Sequence, residues 1–78
     1  MKNSEVKELK QIERTLSQQL HDARISAQLS LEQIHEKTKI PMHIIDKQEI
    51  GLVPVQLPIL YLLAKAYNKK VQINLVSL

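Results

Sequence analysis

The chain contains no cysteine, no phenylalanine, no tryptophan and a single glycine, Gly51. Without cysteine there is no disulfide framework and no thiolate metal site, which suits a reducing compartment. With one glycine there is no glycine-rich loop to cradle phosphates. Tyr61 and Tyr67 are the only aromatics, so a core must be assembled from Leu, Ile, Val and Ala, although apolar residues still make up 44% of the chain. Also missing is any run of about 18 apolar residues that could span a bilayer. The start, MKNSEVKELKQ, lacks the apolar stretch of a secretory signal. A cytoplasmic protein with no membrane partner is expected. At 78 residues the chain has length for one small core and not for two. Such cores commonly draw on disulfides, metals or self-association. With no cysteine, self-association is the easiest route left.

Charge of neither sign dominates, but its placement is uneven. The formal net charge is +3 and the pI about 9.3, which suits a polyanionic partner without requiring one. Residues 30–51 are slightly acidic, with Lys37, Lys39 and Lys47 set against Glu32, Glu36, Asp46 and Glu49. Residues 52–78 carry Lys65, Lys69 and Lys70 and no acid at all. These lysines fit a DNA backbone or a solvated face equally well. His21, His35 and His43 stand fourteen and eight residues apart, which matches no metal-ligand motif, so ordinary surface or core histidines are expected. No acid, base and nucleophile are grouped, and there is little room for a substrate pocket. A non-enzyme without cofactor or metal is the expectation.

Val6, Leu9, Ile12, Leu16, Leu20, Ala23 and Ala27 recur at steps of three and four, predicting a first helix over about 6–27. The mixed charges of KNSEVKELKQIER fit an exposed helical lead-in, with Glu13 placed to pair with Lys10. Ser30 followed by Gln33 is a capping box that opens a short second helix ending near Thr38. Pro41 suits the first turn of a third helix, and it biases Ile40 toward extended backbone, so the turn falls at Lys39 and Ile40. Gly51 is the natural stop for that helix, after Glu49. Pro58 marks a fourth, in which Leu57, Leu60, Leu63, Ala64 and Tyr67 share a face ending around Asn68.

The last ten residues change period. Val71, Ile73 and Leu75 alternate with Gln72, Asn74 and Val76, which predicts a strand. No other segment offers it a ladder partner, whereas a second copy of the same strand would. The competing reading is a frayed tail.

Taken in order, Leu16, Leu20, Arg24, Leu29-Ser30, Ile34, Ile40, Ile45, Glu49, Gly51, Pro54 and LLAKAYNKK resemble the helix-turn-helix domain of the phage Cro/cI repressor type, the XRE family. The resemblance covers about two-thirds of the chain, from Leu16 to Tyr67. It implies an all-α, λ-repressor-like domain of four or five helices that binds double-stranded DNA. The ending LLAKAYNKKVQINLV looks like that of antitoxin-type members, of the HipB kind, in which a short C-terminal β-strand pairs across a homodimer. The expected organisation is a lead-in at 1–11, a helix-turn-helix domain at 12–68 and a dimerisation strand at 69–78 carrying Val71, Ile73, Leu75 and Val76. The resemblance further implies that Arg24 and Glu49 form a structural ion pair between the first and third helices. A toxin protein is an additional partner that it suggests.

Within this resemblance the base-facing positions fall on Met42, His43 and Lys47, with Ile44 beside them. Met42 and Ile44 suit a thymine methyl, while His43 and Lys47 can donate to guanine or phosphate. Ser30, Leu31 and Lys39 are the positions closest to backbone contact, with Ser30 at a helix N-terminus suited to phosphate. Several residues depart from the family pattern: Lys39 replaces a usual glycine, His35 a small alanine, and Leu31 a glutamine. Asp46 is unfavourable near DNA, and TKIP also resembles the turn of RodZ-like domains, which keep this fold as protein-docking modules. The expectation is therefore a DNA-binding transcriptional regulator, a repressor or autoregulating antitoxin on an inverted-repeat operator, with a docking module as the alternative.

Overall fold

A computed structural model describes all residues, 1–78, as four α-helices and no strand. Helix α1 spans Asn3–Ser26, α2 Leu31–Thr38, α3 Met42–Ile50 and α4 Leu57–Ala66. The expected lead-in at 1–11 is not a separate element, because α1 runs unbroken from Asn3, where Glu5 Oε1 accepts from the Lys2 N–H over 3.0 Å. Its first turns extend beyond the body of the protein. Leu9 and Ile12 are consequently exposed, while the same stripe is buried at Leu20. Glu13 does not pair with Lys10; its Oε2 instead accepts from the Val55 N–H over 3.1 Å and ties α1 to the connector before α4. That backbone donor lies outside any helix, so it draws the carboxylate in place of a solvated lysine.

The ends of the elements follow local chemistry. Ser30 Oγ accepts from the Gln33 N–H, and Gln33 Oε1 accepts from the Ser30 N–H, closing the capping box. Gly51 ends α3 with φ 75°, a conformation that costs glycine little. Pro58 sits in the first turn of α4, where its missing N–H has no intrahelical partner to lose.

Leu20 of α1, Ile34 of α2, Ile40 of the turn, Ile45 of α3, and Leu60, Leu63, Ala66 and Tyr67 at α4 form the core. Ile34, Ile45 and Leu63 are completely shielded from solvent. Burying each is worth about 1.5–3 kcal/mol, so three fully dry aliphatic side chains supply a large share of the stability of so small a domain.

The strand expected at 71–76 is not formed by the single chain. Residues 70–78 are irregular and make no hydrogen bond to the rest of the molecule. In an all-helical chain there is no sheet edge to receive them, so their N–H and C=O groups are left to solvent or to another molecule.

Candidate nucleic-acid interface

The junction between α2 and α3 is three residues long, Lys39 to Pro41, and most of its polar groups are bonded. Lys39 takes the left-handed conformation, φ 62° and ψ 10°, which is the strain expected where glycine is usual. Its N–H donates to the His35 carbonyl over 2.8 Å. The Ile40 N–H donates to Thr38 Oγ1, which itself donates to the Ile34 carbonyl. His35 Nδ1 lies 2.8 Å from the Ile40 carbonyl oxygen; because a carbonyl only accepts, the ring must carry its proton on Nδ1. The larger side chain at position 35 is thus accommodated at half-exposure and cross-links the turn. With Ile34, Ile40 and Ile45 packed in the angle, the two helices are held in one relative orientation.

In α3 the buried side chains are Ile45, Gln48 and Glu49, which lie within one arc of the helix. Opposite that arc, at 100° per residue, stand His43, Asp46, Lys47 and Ile50, all exposed. Met42 is exposed at one flank, and Ile44 at the other is half-buried and packs against the core. Leu31 also packs against the core, so its side chain and that of Ile44 are only partly free for contact. Lys39 is exposed on the turn. At α2 the Ser30 and Gln33 N–H groups are consumed by the capping box, leaving those of Leu31 and Glu32 without partners, with the helix's positive end behind them. Ile50, more than half exposed, belongs to the outer face of α3 and was not among the expected contacts. Its place beside His43 and Lys47 follows from helical spacing alone.

Beneath this surface, Glu49 gathers three partners. Arg24 Nε donates to Oε1 and Oε2 at 3.0 and 2.9 Å, the Tyr67 hydroxyl donates to Oε2 at 2.7 Å, and His21 Nδ1 lies 3.1 Å from Oε1. Arg24 Nη1 also donates to the Leu29 carbonyl, fixing the loop after α1. Glu49 is 5% exposed, so its charge depends on these donors. The hydrogen bond from Glu49 holds the Arg24 guanidinium above its ordinary pKa. Burial, and then the bond to Glu49, push the Tyr67 phenol well above its ordinary value. Sequence reading placed Tyr67 on the core face of α4 and missed its hydroxyl partner. His21 was also missed, although it lies one turn from Arg24 on α1, a spacing that brings both to the same neighbour.

Ser17, His21 and Glu49 also offer the residue types of a hydrolytic triad. The geometry does not assemble one, since Ser17 Oγ is buried and bonded to nothing and Glu49 is held by Arg24 and Tyr67. The hollow they share with Arg14, Gln18 and Ile50 measures about 290 Å³. No group of three or more His, Asp or Glu side chains is placed to hold a metal ion. No helix is long and apolar enough to cross a membrane.

No protein-family model, curated protein or solved structure matches this chain.

Proposed function

We propose that the protein is a sequence-specific DNA-binding transcriptional regulator that acts as a homodimer, with α2 and α3 as its helix-turn-helix unit. The observation that carries this reading is the short, hydrogen-bonded junction at Lys39 to Pro41, which fixes α3 while leaving Met42, His43 and Lys47 exposed. A helix held this way suits insertion into a major groove, with α2 crossing the backbone. His43 and Lys47 then donate to guanine N7 or O6, and the free Leu31 and Glu32 N–H groups face phosphate. Two such units, related by pairing of the C-terminal segments, would meet successive major grooves about 34 Å apart, so the operator is an inverted repeat. Repression follows from occupying that operator, and the antitoxin-like ending adds a toxin protein as a further partner.

A docking module is the second reading, favoured by Asp46, Ile50 and Leu52, which are exposed in and after α3. The two separate in one experiment, the selection of bound duplexes from fragmented genomic DNA followed by a salt series. A DNA reader enriches an inverted repeat whose binding falls steeply with salt. A docking module enriches nothing.

A further inference from the structure

A cleft of about 460 Å³ opens between α1 and α4. Leu16, Leu20, Ala23, Leu60 and Ala64 line it, and Val71 and Ile73 of the C-terminal segment wall one end. Val71 packs against the core, while Leu75, two residues beyond Ile73, is 98% exposed. The molecule therefore has an unfilled apolar cleft and, on the adjoining segment, an apolar side chain with nothing to cover it.

We infer that this cleft is the seat of Leu75 from a second copy of the chain. The inference rests on the homodimer proposed above and specifies how the two copies join. When a two-fold axis relates antiparallel strands, it maps each face of the pair onto itself, so opposed residues must point the same way in both copies. The register centred on Ile73 satisfies this. It sets Ile73 opposite the partner's Ile73, and Val71 opposite the partner's Leu75, all on one face. Opposed Cβ atoms lie about 4.5–5.5 Å apart, so the partner's Leu75 arrives beside Val71, at the cleft that Val71 walls.

Charge selects the same arrangement. Residues 71–78 carry no charge, so the paired segments meet without repulsion. Antiparallel pairing in this register places Lys69 and the partner's Lys69 about 27 Å apart, eight residues at about 3.3 Å each, whereas parallel pairing would set the lysines side by side. The pairing also gives the orphaned N–H and C=O groups of 70–76 their ladder.

The test uses a sample mixed from isotope-labelled and unlabelled chains, in which filtered NMR experiments detect only contacts between protomers. The expected result is a set of contacts from the Leu75 methyls of one chain to Val71 and Leu60 of the other. Leu75→Asp is expected to weaken self-association roughly a hundredfold or more, because both copies of residue 75 lose their seats at once. Its helical signal should be unchanged, since residue 75 is bare in the single chain. A dimer whose contacts arise elsewhere, or one that Leu75→Asp leaves intact, overturns the cleft assignment while the DNA-binding dimer stands. A chain that is monomeric at NMR concentrations overturns both the cleft assignment and the dimer.

Discussion

The Tyr67 hydroxyl donates to Glu49 Oε2 over 2.7 Å and closes the end of α4 onto the end of α3, where Arg24 of α1 grips the same carboxylate. Three helices thus converge on one buried charge beneath the proposed reading helix. Replacing Glu49 with glutamine leaves Arg24 facing an uncharged amide in a nearly dry site. The expected loss is about 3 kcal/mol. Tyr67→Phe removes one hydrogen bond to a charged group, for about 2 kcal/mol. Urea unfolding measures both, and a Glu49→Gln variant as stable as the parent would remove Glu49 from the framework.

Alkaline solution should weaken the fold through Tyr67. Its phenol has a raised pKa in the folded chain and an ordinary one, near 10, in the unfolded chain. Stability contributed by such a group is complete below the unfolded value and declines as pH rises above it toward the folded value. From about pH 10 upward the decline attributable to Tyr67 approaches 1.4 kcal/mol per pH unit. Tyr67→Phe should start less stable at neutral pH and lose stability more slowly above pH 10, as read by unfolding midpoints. Parallel profiles for the two proteins would count against a buried phenol.

Lys39 occupies left-handed backbone at the turn, which costs a side-chain-bearing residue about 1 kcal/mol relative to glycine. Lys39→Gly should therefore raise the melting temperature by about 4–8 °C. The lysine's retention at a strained position is consistent with a phosphate contact, so the same variant should bind DNA more weakly. Calorimetry and binding titrations on one preparation check both directions.

Removing residues 71–78 should leave the helical fold intact, because Val71 alone of that segment packs against the core. The shortened chain is expected to sediment as a monomer. One that remains dimeric would place the interface on the helices alone.

Much of the fold was legible in the sequence because it rests on local signals. The Ser30 and Gln33 capping box, Pro41, Gly51 and Pro58 each set a helix end by backbone chemistry, and the observed boundaries follow them. The ionic centre was only half legible. Arg24 and Glu49 came through resemblance, but the Tyr67 hydroxyl and His21 reach Glu49 through the packing of helices, which no local pattern encodes. Glu13 illustrates the same limit, since its partner is a backbone N–H forty-two residues away. The strand was misread within the single chain because alternation reports a face to be covered and not the molecule that covers it. At the candidate interface, spacing located His43 and Lys47 on α3 but did not anticipate that Leu31 and Ile44 would be drawn toward the core.

The most direct test of base reading by α3 repeats duplex selection with a His43→Ala, Lys47→Ala double variant beside the parent. Both side chains are exposed, so the fold should survive. The parent is expected to enrich one inverted repeat. The variant should hold DNA only weakly, with sequence preference at the affected positions relaxed by about 1–3 kcal/mol per lost contact. If parent and variant enrich the same repeat equally, or if neither enriches any, α3 is not the element that reads DNA.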